Sequence, residues 1–92
     1  MTLEHWAALV EASGAKKDDG GFLAPPEGKV LTLYVSSGSA TLSVQRIEAV
    51  RQEQGLVYAR TKKGELFVLA LQDVFAGAVE ETQGSTRKAG FV

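Results

Sequence analysis

Apolar residues recur at two different periods along this chain, a helical period near the start and a period of two in the middle. The helical spacing i, i+3, i+4, i+7 is occupied by Leu3, Trp6, Ala7 and Val10. Thr2 is a suitable N-cap for such a helix and Gly14 a suitable C-cap. The pattern predicts a helix at about residues 2–13, anchored in the core by Trp6, whose indole can bury more area than any other side chain here.

The middle of the chain contains four successive β-rich runs, at 29–35, 40–51, 56–61 and 65–71, with the second either continuous or restarted at Arg46. Its strongest local signal is Leu56–Leu71, two apolar runs divided by Lys62-Lys63-Gly64. That spacing predicts a hairpin with a type I turn and a glycine bulge. Four strands in simple succession with short turns predict an antiparallel meander.

Two segments lack any period. Residues 15–28, AKKDDGGFLAPPEG, combine acidic residues with a Gly pair and a Pro pair, which predicts an irregular loop docked by Phe22 and Leu23. A loop of this length is typically either mobile or functional, and the sequence leaves both open. Residues 82–92 are predicted to form a flexible tail, and the whole chain, 1–92, is predicted to be a single small globular domain.

A helical period returns after Leu71. Asp73 suits a first helical turn, and the stripe i, i+1, i+4, i+5 is occupied by Val74, Phe75, Ala78 and Val79. Gly77 inside this stripe costs about 1 kcal/mol relative to Ala, so the helix would need tertiary support. The expected fold class is therefore α+β: an N-terminal helix, an antiparallel four-stranded meander, curled or barrel-like, and a C-terminal helix.

Few side chains here are suited to catalysis, since the chain has no cysteine and a single histidine, His5. No serine lies in a nucleophile frame such as G-x-S-x-G, and Asp18-Asp19 lacks the alternating spacing of a calcium loop. The glycine-rich stretches do not join a strand to a helix in a phosphate-binding frame. We therefore expect a non-enzymatic protein with no catalytic residues, no metal and no cofactor.

The distribution of apolar residues also bears on location. No stretch approaches the roughly 18 consecutive apolar residues that span a bilayer. Residues 1–15 lack the basic start of a signal peptide. We expect a cytoplasmic protein without membrane contact.

Positive charge is concentrated in the β-rich middle, where residues 29–71 carry six basic and three acidic side chains. Lys62 and Lys63 at the predicted hairpin tip, with Arg60 beside them, are the candidate contacts to nucleic-acid phosphates. Charged turn tips also serve solubility and discourage strand pairing, so a solvated tip is the competing interpretation.

The order of patterns in Arg46–Glu81, RIEAVRQEQGLVYARTKKGELFVLALQDVFAGAVEE, loosely resembles the core of LytTR-type DNA-binding domains. That core has a strand containing an I-x-x-[IV]-E pattern, a turn, a strand rich in Tyr and Val, a T-x-x-G turn and a helix start. The resemblance implies a nucleic-acid-binding β-domain as an alternative function.

The last predicted strand is apolar on both faces, with Leu66, Val68 and Ala70 on one and Phe67, Leu69 and Leu71 on the other. An edge strand exposed in this way would invite aggregation. Three arrangements avoid the exposure: pairing with the strand at 29–35 in a closed barrel, insertion at the centre of the sheet, or pairing with a second copy. We therefore expect a protein-interaction or structural module, self-associating or binding a protein partner, with Leu66, Phe67 and Leu69 as the candidate interface.

Overall fold

The structure, a computed structural model, describes residues 1–82 and contains one helix and seven strands. Helix α1 covers Leu3–Ser13. A 3-10 turn at Leu71–Asp73 separates the last two strands. The strands are β1 (Lys16–Lys17), β2 (Leu23–Ala24), β3 (Lys29–Ser37), β4 (Ala40–Glu53), β5 (Leu56–Thr61), β6 (Leu66–Ala70) and β7 (Val74–Glu81).

Helix α1 confirms the predicted N-terminal helix and both of its caps. The Thr2 hydroxyl accepts a hydrogen bond from the His5 N–H at 3.0 Å. Gly14 ends the helix in the left-handed conformation, at φ 73°, and its N–H donates to the Glu11 carbonyl. The buried face is rotated from the predicted one, because Trp6, Leu9 and Ser13 are its buried residues.

The predicted meander is confirmed as part of a larger, highly curled antiparallel sheet. Its main path runs β6-β5-β4-β3-β7, with β2 also paired to β4 and β1 paired to β2. Strand β4 is continuous for 14 residues. Its first half pairs with β3, its second half pairs with β5, and irregularities in both ladders fall near Arg46–Glu48.

The hairpin predicted at Lys62-Lys63-Gly64 has the expected geometry. The Gly64 N–H donates to the Thr61 carbonyl at 3.0 Å, which closes a turn over two lysines. Gly64 then adopts φ 89°, and the Thr61 N–H donates to the Glu65 carbonyl at 2.9 Å. A type I turn followed by a left-handed glycine is the three-residue hairpin loop with a glycine bulge.

The predicted C-terminal helix is wrong, and the chain is mostly β. Residues 74–81 form strand β7, which pairs with β3 from Lys29↔Glu81 to Val35↔Val74. The register shifts between Tyr34 and Val35, so one residue of β7 bulges at Phe75. This bulge interrupts the alternation of inward residues, which makes the apolar spacing resemble a helical stripe. Pairing with β3 overrides the weak local propensity of this segment.

The segment 15–28, predicted as an irregular loop, contains the two shortest strands. Lys17 pairs with Leu23, and Leu23 in turn pairs with Val50 of β4, so this segment is joined to the main sheet. Of the predicted tail, only Thr82 is described, and its N–H donates to the Gly28 carbonyl. The remainder of the tail, 83–92, lies outside the described residues.

The core lies inside the curl of the sheet and is closed by α1. Its members come from α1, from β3, β4, β5 and β7, and from the 3-10 turn: Trp6, Leu9, Leu31, Leu33, Val35, Val44, Ile47, Val50, Val57, Ala59, Leu71 and Val74. Gly77 lies in β7 opposite Leu33, directly beneath the Leu9 side chain. The absence of a side chain at Gly77 allows the helix to approach the sheet closely.

Candidate interaction surface on strand β6

Strand β6 lies at an open edge of the sheet. It pairs with β5 from Leu56↔Ala70 to Arg60↔Leu66, and within residues 1–82 nothing pairs with its other edge. Two of the three arrangements predicted for this strand are therefore wrong. Strand β3 takes β7 as its second neighbour rather than β6, and β6 is not inserted centrally. Pairing with a second copy is the arrangement that stays a prediction.

The curl of the sheet gives the two faces of β6 different environments. Phe67 and Leu69 pack against the core, so these two predicted interface residues contribute to folding. Leu66 points outward and is 55% exposed. Val68, absent from the predicted interface, is 53% exposed on the same face. Alternation along the strand predicts that Leu66 and Val68 lie on the same face of the sheet. It does not indicate which face packs against the core.

Strand β6 lacks the features that usually protect an edge. It contains no charged residue and no proline, and its ladder with β5 has no bulge. The other open edges differ from β6: β1 consists of two lysines, and the free side of the first half of β4 ends at the irregularity beside Arg46. Strand β7 is interrupted by the bulge at Phe75 and ends in Glu80-Glu81. Among the described strands, β6 is therefore the edge better suited to pairing with another chain.

Arg60, one of the three predicted nucleic-acid contacts, is engaged within the fold. Its Nε donates to Oε2 of Glu48 at 3.2 Å, and its Nη2 lies 3.6 Å from Oδ2 of Asp18. The guanidinium also lies 4.9 Å from the ring centroid of Phe22. Arg60 therefore holds the segment 15–28 against the sheet, which makes it a poor candidate for a phosphate contact.

Phe22 is the anchor of that segment. Arg51 lies on the same ring at 5.2 Å and also on the Tyr58 ring at 4.7 Å. Two guanidinium groups thus contact one phenyl ring, an arrangement favoured by cation–π attraction. The sequence predicted docking by Phe22, but its basic partners lie about 30–40 residues further along the chain and were not foreseen.

The carboxylate of Asp18 stabilises the turn that presents Phe22. Oδ1 accepts hydrogen bonds from the N–H groups of Phe22 and Gly20, both at 2.9 Å. The Phe22 N–H is the main cause that lowers the pKa of Asp18 below its ordinary value. The Gly20 N–H and the Arg60 guanidinium lower this pKa further, while desolvation opposes them.

The lowered pKa of Asp18 predicts an acid-sensitive contribution to stability. The charged form is favoured in the folded state, so its contribution is complete above the unfolded pKa of about 3.9 and is lost as the pH falls through the lower folded value. Between about pH 5 and about pH 2, Asp18→Asn should therefore lose less thermal stability than the wild type. Melting temperatures measured across this range check the expectation, and parallel profiles would contradict it.

Lys62 and Lys63 are exposed at the tip of the β5–β6 hairpin, as predicted. His5 is exposed on α1. Across residues 1–82, no group of three or more metal-ligating side chains is present. In the same residues, no helix combines the length and apolar character needed to cross a membrane.

Comparisons with models of protein families, with curated proteins and with solved structures show no significant match to this chain. The resemblance to LytTR-type domains consequently rests on its pattern alone. One element of that pattern is missing, since the expected helix start at 71–73 is a 3-10 turn leading into β7.

Proposed function

We propose that this protein is a small interaction module that self-associates through the open edge of β6. The supporting observation is the exposure of Leu66 and Val68 on an edge strand that has no charge, proline or bulge. Such an edge presents unpaired backbone donors and acceptors that a further strand can satisfy. The outward apolar side chains would add hydrophobic burial to this backbone pairing.

A second copy of β6 is the occupant that fits this edge. Antiparallel pairing about a two-fold axis at Val68 places Leu66 opposite the small Ala70 of the second copy. It brings no like charges together within the strand.

The expected dimer is weak. Stable interfaces usually bury about 1,600 Å² in total, and a five-residue edge provides less than that. Light scattering over a concentration series from micromolar to millimolar should show the mass rising from that of one 9.8 kDa chain towards twice that value.

Val68→Lys should abolish this rise in mass, because two lysines would face each other across the two-fold axis. Strand β6 should still form in the variant, since the site is exposed and the expected cost in folding stability is below about 1 kcal/mol. Light scattering gives the mass, and circular dichroism checks that the variant is folded.

Leu3→Lys is the matched control, because Leu3 is 61% exposed on α1 and is not part of strand β6. It should leave the concentration dependence unchanged. A wild-type protein that stays a single chain at millimolar concentration would falsify self-association. So would a dimer that Val68→Lys leaves intact.

Nucleic-acid binding is a second candidate function. It is supported by the exposure of Lys62 and Lys63 at the hairpin tip, although Arg60 is used within the fold. Exposed lysines at a protruding turn can reach phosphates without rearrangement of the sheet.

A further inference from the structure

A cleft lies where β4 extends past the tip of the β5–β6 hairpin. Its volume is about 330 Å³. The lining residues are Ser43, Val44, Gln45, Arg46, Lys63, Glu65 and Phe67. Strand β5 pairs with β4 only from Ile47 onward, so within residues 1–82 no strand pairs with the first half of β4 on this side. We refer to this feature as the cationic cleft.

Arg46 occupies the most unusual backbone position in the cleft. It adopts φ 57° within a strand, beside the irregularity that shifts the β3–β4 register. Glycine is the residue best suited to that conformation, and an arginine there costs conformational energy. The Lys62 N–H donates to the Arg46 carbonyl at 2.9 Å, which fixes the hairpin tip against this bulge.

The basic side chains at the cleft form no ion pairs in the part of the chain that the structure describes. No ion pair in residues 1–82 involves Arg46, Lys62 or Lys63, whereas Arg51 and Arg60 both have carboxylate partners. Glu65 is the one carboxylate lining the cleft, and its Oε1 accepts from the Thr61 hydroxyl. Arg46 also lines a second cavity together with Glu80 and Glu81, but no ion pair joins it to either carboxylate within residues 1–82.

We infer that the cationic cleft binds a phosphate-type oxyanion. Arg46 and Lys63 would supply charge-assisted hydrogen bonds, and Lys62 would add electrostatic attraction from the tip. The Ser43 hydroxyl and the Gln45 amide provide neutral donors at the same site. The oxyanion is either a free phosphate or the phosphodiester of a nucleic acid, since both present the same acceptor geometry.

The test is an NMR titration at low ionic strength with two probes, inorganic phosphate and a single-stranded oligothymidylate. Both should shift the backbone amide signals of residues 43–46 and 62–65. Arg46→Gly should weaken binding about tenfold, the loss expected for one charge-assisted hydrogen bond. Its melting temperature should not fall, because glycine suits the backbone there better than arginine does.

Two further variants distinguish a specific anion-binding site from non-specific electrostatic attraction. Lys16→Gln also removes one positive charge, but from exposed strand β1, and should leave binding unchanged. Glu65→Gln should tighten binding, because it removes the carboxylate from the cleft. Both variants should keep the wild-type mass in light scattering, which keeps this test independent of self-association.

The relative affinity of the probes identifies the source of the anion. An oligonucleotide that binds more tightly than phosphate, with a steep dependence on salt, indicates nucleic acid. Equal affinity per phosphate group indicates a free anion. The inference is overturned if neither probe shifts these amides, or if Lys16→Gln weakens binding as much as Arg46→Gly does.

Discussion

Trp6→Ala is expected to lower the free energy of unfolding by about 3–5 kcal/mol, the usual cost of removing a buried tryptophan. The Trp6 side chain is almost fully buried and belongs to the core cluster that joins α1 to the sheet. Single domains are stable by only about 5–15 kcal/mol in total. The variant should therefore unfold at a much lower urea concentration than the wild type, or be unfolded at 25 °C in buffer.

Leu3→Ala is the control that makes this experiment specific. The helical period alone assigned both Leu3 and Trp6 to the core face, but Leu3 is exposed. Its truncation should change the unfolding free energy by less than about 0.5 kcal/mol. If urea titration shows comparable losses for the two variants, α1 does not pack as described.

Gly77→Ala is the second change expected to have a large effect. A Cβ at this position would overlap the Leu9 side chain, so the helix must move away from β7 or Leu9 must change rotamer. We expect a loss of about 1–3 kcal/mol, the usual cost of overpacking. For a domain of this size, each kcal/mol corresponds to a fall in melting temperature of about 4–8 °C.

A second substitution, Leu9→Ala, tests whether the loss caused by Gly77→Ala comes from contact with Leu9. Leu9→Ala is costly alone because it opens a cavity, but it should cost clearly less in a Gly77→Ala background, where the new methyl group occupies part of that space. Gly20→Ala is the matched control, since a Cβ there lies 3.6 Å from its nearest neighbour, Asp18 Oδ1. Purely additive losses at positions 9 and 77 would show that the two residues are not in contact.

Self-association and anion binding use different parts of the same hairpin. The outward face of β6 presents Leu66 and Val68, whereas the cationic cleft lies at the hairpin tip beside Arg46. A dimer formed across the β6 edge would place two such clefts on one particle. Binding of a polymeric anion would then gain avidity, whereas binding of free phosphate would not.

The parts of the structure that could be predicted are those formed by contacts between residues close together in sequence. The α1 helix follows from its apolar spacing, with Thr2 and Gly14 capping it locally. The β5–β6 hairpin follows from a glycine at the one loop position that needs a positive φ. In both cases the hydrogen-bond partners lie within about five residues, where sequence spacing determines geometry.

The candidate sites were predictable only in part. Alternation separated Leu66 and Val68 from Phe67 and Leu69, but the side of the sheet that faces the core depends on its curl. Arg60 was predicted as a phosphate contact because it is basic and lies near the hairpin tip. Its ion pair with Asp18 could not be predicted, because Asp18 lies in a segment with no periodic pattern. The cleft around Arg46 forms where two segments that are distant in sequence come together in the sheet. A local sequence pattern cannot predict that they are adjacent.

By itself, the sequence determined the N-terminal helix, the order of the four meander strands and the hairpin turn at Lys62-Lys63-Gly64. Each of these depends on short-range hydrogen bonding and on the side-chain periods of helix and strand. Only the tertiary structure decided that 74–81 is a strand, because pairing with β3 and close packing under Leu9 outweigh local preference. The same pairing gives β3 its second neighbour and leaves β6 at an open edge.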